Sequence, residues 1–327
     1  MEGQEAGRDN LRQYAVLAIP ALNLVWSVQR QLQNLLRLLL GGEMPVGFQA
    51  FKEDGTLLFD IDRISYGLLK SGYLDLVDRW GRFYIRSNNL PPNEESSWSY
   101  KLFQDPICGI TVTGAISPIV FLVGDGKPCG ESVNGNTRTL YFKGCSPNTK
   151  AFIFDLMRDV GERTGMECYD ATGRLSFTTG MPPLNIIAAV DPPPINPPVS
   201  PNTDTRWTPY SGGANERSGT EWSATDYIQP RGAVFVPVVS GELAAYLTFS
   251  RICILNEGFD LGAGTYRTNA NEGCGGASGG VRFFFSPAVA TTAAQYGSSY
   301  TSWNDIPTDR QPQALVIRAT DYPFPFR

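Results

Sequence analysis

Apolar and polar positions alternate with two different periods along this chain, and the change of period divides it. Over 10–40 the apolar residues fall three and four apart, at Leu11, Tyr14, Ala18, Ala21, Val25, Val28, Leu32, Leu35 and Leu39. That spacing gives a helix one apolar seam, the a/d pattern of helices that wind around partners. Asp9 or Asn10 can cap its start and Gly41-Gly42 can end it. Pro20 removes one hydrogen bond, and so kinks the helix or begins a second one. A second row, Leu22, Trp26, Leu36 and Leu40, makes the stripe wider than a two-stranded coil needs, which favours a trimer or docking against another protein. Two other readings stay open. One is a helix packed on the chain's own β domain. The other is a membrane span over Tyr14–Val28, which Pro20, Asn23 and a length short of about 18 residues oppose.

From Met44 the period becomes two. Short β-branched and aromatic runs recur at Tyr73–Val77, Arg82–Arg86, Cys108–Ala115, Ile119–Val123, Thr139–Phe142, Ala151–Phe154 and Leu184–Val190. Seven or more such runs roughly 8–15 residues apart fit a β-sandwich over 44–190. Loops are expected at 87–97 and 124–137, and one helical turn over 155–164. Asp191–Pro201 reads DPPPINPPVSP, an extended linker or an arm lying on a neighbour, and 203–219 continues irregular. A second β unit fills 221–327, with strands at Ala233–Val239, Leu243–Leu255 (one long strand or a pair), Thr265–Thr268, Val281–Phe285 and Ala314–Ala319. Pro237 marks the first of these as an edge strand. Loops are expected at Gly273–Gly280 and Thr291–Ser302. The fold class is therefore mainly β: an N-terminal coiled-coil-like helix (1–43), a β-sandwich (44–190), a proline-rich linker or arm (191–220) and a C-terminal β domain (221–327).

Composition sharpens this. Hydrophobic residues make up 42% and charged residues 18%, enough apolar material for a sizeable core. A net charge of −5 without a basic run argues against nucleic acid as a partner. The chain has no histidine, which removes Ser-His-Asp and Cys-His nucleophile systems and histidine-ligated metals. The six cysteines show no CxxC pair, so no zinc site is expected and no cofactor is indicated. Cys129–Cys145 can close a loop, but buried free thiols are the favoured reading. MEGQEAGRDN is polar and acidic, unlike a signal peptide.

One pattern occurs twice. GFQAFKEDGTLLFD at 47–60 and GMECYDATGRLSFT at 165–178 share Gly47/Gly165, Phe51/Tyr169, Gly55/Gly173, Leu57/Leu175 and Phe59/Phe177. Each is a strand, a tight turn with Gly at a positive φ, and a second strand. With FIFD at 152–155 and the tail TTGMPPLNII, these hairpins resemble small β-sandwich proteins of long-tailed bacteriophages, which are tail-tip, baseplate or fibre-associated parts. The resemblance covers about 45–190. It implies a structural or receptor-facing role in a virion tail, assembly in the host cytoplasm, other tail or baseplate proteins as partners, and no catalytic residue.

Three candidate sites remain. GCGGASGG lacks the Lys-Ser/Thr ending and the following helix of a phosphate loop, and reads as a flexible turn. Asp60, Asp62, Asp75, Asp78, Glu221 and Asp226 are the acids that a glycan-cleaving pair would draw on. Tyr296, Tyr300 and Trp303, among serines and threonines, have the composition of a receptor or neighbour contact surface, against which stands the plainer and favoured reading that they cover a core edge. The leading expectation is a structural tail-tip or baseplate component that is not an enzyme, oligomerising through the seam from Leu11 to Leu39, with a homotrimer favoured. Its alternatives are a module that binds host-surface glycan or pilus and, behind that, a tail depolymerase.

Overall fold

The computed structural model describes residues 49–51, 57–60, 63–85, 98–161, 165–170, 172–200, 202–218, 229–258, 265–296 and 301–327. The helix expected over 10–40, with its seam Leu11, Tyr14, Ala18, Ala21, Val25, Val28, Leu32, Leu35 and Leu39, lies outside them, as does the membrane-span alternative. The described residues are mainly β with antiparallel sheets. They hold no α-helix, and so no coiled coil; a 3-10 turn at Ala319–Asp321 is the one helical element among them.

The chain divides into two compact units. The described part of the first comprises 49–51, 57–60, 169–170 and 172–174. Strands β1 (Gln49–Phe51) and β2 (Leu57–Asp60) pair antiparallel, with Gln49 opposite Asp60 and a bulge between Ala50 and Phe51. The second copy of the repeated pattern also forms a two-stranded ribbon, β10 (Glu167–Tyr169) with β11 (Leu175–Thr178). Gly173 sits at φ +80° in its turn. Asp170 organises that turn by accepting from the Thr172 hydroxyl (2.6 Å), the Thr172 and Arg174 amides (both 2.9 Å) and Arg174 Nε (3.0 Å). The Thr172 hydroxyl above all, and the Arg174 amide next, lower the Asp170 carboxyl to about 2.

The second unit, 63–168 with 175–327, holds a fifteen-stranded sheet. Its first part is β3 (Tyr66–Tyr73), β4 (Asp75–Ile85), β5 (Trp98–Thr113), β6 (Ile119–Val123), β7 (Lys127–Asn134), β8 (Thr137–Lys143) and β9 (Lys150–Leu156). The second part is β12 (Ala188–Val190), β13 (Ala214–Ser218), β14 (Gln229–Leu247), β15 (Ile252–Gly258), β16 (Thr265–Pro287), β17 (Thr292–Tyr296), β18 (Ser302–Asn304) and β19 (Ala314–Arg318). The main path runs β12-β19-β14-β6-β16-β17-β4-β5-β8-β7, with β13, β15, β18, β3 and β9 branching from it. β6 pairs with β14 and β16, and β12 with β19, so ladder contacts cross the boundaries drawn at 190 and 220.

Two long strands make this possible. β14 pairs with β13 and β16 in its first half and with β19 in its second; Gly241, at φ +109°, lies where its partners change. Pro237 lies opposite Gly280, in a stretch whose other flank is paired by no described strand, which suits a residue without an N–H. β16 runs unbroken through GCGGASGG, where the sequence suggests a flexible turn. The correction has a steric cause. A Cβ on Gly275 would meet the Gly124 carbonyl, and one on Gly276 the Leu243 carbonyl, both far inside contact distance. Glycine here lets three backbones pack against one another, and the Gly124 amide donates to the Gly276 carbonyl at 2.8 Å.

Two other expected loops are also strands. Residues 124–137 contain β7, an outer strand whose one partner is β8, so Pro128 and Gly130 cost little there. Residues 291–302 contain β17, which pairs with β16 and β4. In place of the helical turn expected over 155–164, β9 continues to Leu156 and 157–160 has no regular structure. The proline-rich stretch is tied down: the Asn196 side-chain amide donates to Thr208 Oγ1 (2.6 Å), the Thr208 carbonyl (3.0 Å) and the Tyr210 carbonyl (2.9 Å).

Three apolar clusters fill the unit. One gathers Leu255, Phe283, Phe285, Trp303 and Val316. A second holds Leu69, Cys108, Phe142 and Ile153. The third is aromatic, with Phe121 edge-on to Phe154 at 5.5 Å and Phe154 edge-on to Tyr322 at 5.0 Å. The C-terminus is part of this last cluster's support, since Phe326 and Ser71 exchange backbone hydrogen bonds at 2.9 and 3.0 Å.

Candidate functional site

A groove of about 400 Å³ opens between β6, the β7–β8 hairpin and the end of β14. Ile119, Leu122, Leu140 and Phe142 supply apolar walls, and Tyr246 and Phe249 aromatic ones. Phe249 stands 42% exposed in the turn after β14, an apolar ring presented to solvent. Glu131 on β7 is the acidic group of the lining that faces outward, and it pairs loosely with Arg138 at 3.4 Å. The volume lies in the range of small-ligand sites, and the lining suits apolar surface with few directed hydrogen bonds.

Beneath the groove lies Glu272, fully buried on β16. Its carboxylate accepts from Arg251 Nε at 2.7 Å, Arg251 Nη2 at 2.7 Å and the Tyr210 hydroxyl at 2.6 Å. Burial first, and then the neighbouring Glu272 carboxylate, push the Tyr210 phenol well above its ordinary value, so it remains a donor. With three donors in place, the carboxylate ties β16 to Arg251, just before β15, and to Tyr210. Two thiols near it, Cys253 and Cys274, are pushed upward by burial. Cys129 rises to about 12 and Cys145 well above its usual range, again through burial. These are protonated, apolar packing groups rather than nucleophiles. All six cysteines are free, with Cys129 and Cys168 half-buried and the other four buried.

Another buried carboxylate, Asp155, serves the backbone. It accepts from the amides of Ile116 (2.8 Å) and Ser117 (2.7 Å) and from Arg158 at 2.6 Å, which pins the loop before β6. No cluster of three or more Cys, Asp or Glu side chains with metal-ligand geometry occurs among the described residues.

The residues singled out from sequence fare differently. Trp303 is 0% exposed, packs with Phe285 at 6.1 Å and donates its indole N–H to Asn215 Oδ1 at 2.9 Å. It is a core residue, which corrects its assignment to a contact surface: all three residues of β18 are buried, while the composition of its surroundings suggested a loop. Tyr296 ends β17 opposite Thr265, and Tyr300 lies outside the described residues. Among the acids, Asp62, Glu221 and Asp226 lie outside as well, and Asp60 ends β2. Asp75 and Asp78 are exposed on β4, and Asp78 accepts from the Arg79 amide and Trp80 Nε1, both at 2.7 Å. Sequence reading missed Arg251 and Glu272. The one signal was a charge at each end of apolar alternation, at 250–255 and 270–274, which does not say that the two meet. No family model, curated protein or solved structure matches this chain.

Proposed function

We propose that this protein is a structural component of a bacteriophage tail tip or baseplate, made in the host cytoplasm and acting in the virion by assembly rather than by chemistry. Its full architecture in this reading is the seam helix over 1–43, a sandwich-like β body and the C-terminal β strands. The observation that carries it is the use of the buried charges. Glu272, Asp155 and Asp105 are each engaged by donors that join strands or pin a loop. The doubled hairpin supplies the link to tails. Apolar side chains left at the surface, Tyr73 at 51%, Val77 at 44% and Leu76 at 38%, provide area for neighbouring proteins. Light-scattering mass of the full chain tests self-assembly. The expected result is a trimer that Val28→Ser, Leu32→Ser and Leu35→Ser together reduce to a monomer; a monomeric wild-type chain removes the seam from the argument.

The groove favours a second reading, a host-surface receptor module. Phe249 would then be a contact residue in place of Trp303. Binding of the full chain to susceptible cells, weakened by Phe249→Ser, supports it, and equal binding by both chains removes it.

A further inference from the structure

Lys127 opens β7 with its side chain wholly buried, a costly place for an amine. Its Nζ lies 2.5 Å from Asn271 Oδ1 on β16. The carbonyl oxygens of Ser286, Pro287 and Asn271 stand at 2.7, 2.9 and 3.4 Å. Adding a C=O bond of about 1.2 Å to the 2.5 Å contact puts the Asn271 amide carbon within about 3.7 Å of Nζ, close to attack distance.

The second amine at this place is Lys143, the cross-strand neighbour of Lys127 and equally buried. Lys143 Nζ donates to Asp105 Oδ2 at 3.0 Å, to the Pro287 carbonyl at 2.9 Å and to the Ala288 carbonyl at 3.5 Å. Both amines therefore converge on the Pro287 oxygen. Two ammonium groups on one acceptor repel each other strongly where water does not screen them, and the repulsion ends when one gives up a proton. A proton shed from Lys127 leaves its Nζ lone pair able to act as a nucleophile.

The surroundings hold the pair in place. A Cβ at Gly273 would come 2.7 Å from the Lys127 Cβ and 2.9 Å from the Phe284 ring. Glycine at 273 thus opens the path by which the lysine stem reaches Asn271, and the ring walls it from solvent.

We propose that Lys127 and Asn271 are joined by an intramolecular isopeptide bond that the folded chain makes for itself. The Nζ lone pair attacks Asn271 Cγ, forming a C–N bond as the carbonyl electrons move onto Oδ1. Collapse restores the carbonyl and breaks the Cγ–Nδ2 bond. Nζ passes one proton to Nδ2 as that bond breaks, and the proton it shed before attack joins the leaving ammonia to give ammonium. A protonated amine and a primary amide become a secondary amide and ammonium, with no oxidant or cofactor. The bond ties the outer strand β7 to the central β16, across 144 residues of sequence. The inference rests on this geometry and stands whether or not the protein belongs to a virion.

Intact mass of the purified, denatured full chain tests it. The expected mass is one ammonia below that of the sequence, with a tryptic product in which the peptide bearing Lys127 is linked to the peptide bearing Asn271. Lys127→Arg and Asn271→Ala each return the mass to their own sequence values. A wild-type mass equal to the sequence overturns the proposal. So does a mass lower by one ammonia with the two peptides separate, because the loss then lies at another amide. The wild-type measurement decides the matter even if a variant fails to fold.

Discussion

Removing the buried carboxylate at Glu272 tests how the interior is held. In Glu272→Gln the shape is kept and the charge is lost. Arg251, whose side chain is 2% exposed, then holds an unbalanced positive charge, and one of its two 2.7 Å bonds loses its acceptor. Breaking a buried ion pair by removing one partner costs about 3–5 kcal/mol. Retention of an acceptor for Tyr210 places this variant near the lower end, about 3 kcal/mol. Replacing both members, as Arg251→Met with Glu272→Met, removes both desolvated charges together and is expected to cost less than about 1 kcal/mol. Urea unfolding followed by tryptophan fluorescence is a suitable assay, since Trp303 packs in the same core as Phe285. The reasoning fails if the single variant loses less than about 1 kcal/mol, or if the double variant loses as much as the single one. The site also has a pH signature. Tyr210 is raised above its ordinary 10.0 in the fold, so its contribution is complete below pH 10 and is lost as pH climbs through the folded value. Tyr210→Phe removes that alkaline loss.

Three further outcomes follow from particular residues. Trp303→Ala is expected to cost about 3–5 kcal/mol in thermal or urea unfolding, because a fully buried ring and its bond to Asn215 are lost; a change within about 0.5 kcal/mol would mean a surface position after all. Gly276→Ala places a methyl against the Leu243 carbonyl where β16 passes β14; a loss of about 4 kcal/mol or an insoluble product is expected, and an unchanged melting curve would show that the backbones do not approach so closely. In the turn of the second hairpin, carboxyl NMR is expected to find Asp170 titrating at about 2, and Thr172→Val to raise it. The order of that turn is complete above the usual value of 3.8 and fades as pH falls toward 2.

Much of the β structure was legible in local pattern. Ile119–Val123 is β6 to the residue, the strand ending the chain is β19, and the paired glycine turns mark two ribbons, of which Gly173 shows the positive φ. Each of these depends on neighbours in sequence, through alternation or through one residue's backbone freedom. Loops assigned from composition were less secure. Pro128 and Gly130 argue against a strand in general, yet an outer strand with one partner accepts them. The glycine run at 273–280 carries no side chains from which alternation can be read, and its role depends on the backbones of Gly124 and Leu243, far away in sequence.

The sequence by itself determined that the chain is mainly β, that histidine chemistry is absent, and that two hairpins share one design. These follow from residue identity and from spacing within a few positions. Only the tertiary structure decided that β14 and β16 bind strands from both halves of the chain, that Trp303 is core, and that Lys127 meets Asn271 while Arg251 meets Glu272. Each of those facts is a meeting of residues distant in sequence, fixed by how closely backbones pack and by where a buried charge finds its partner, and no local period encodes either.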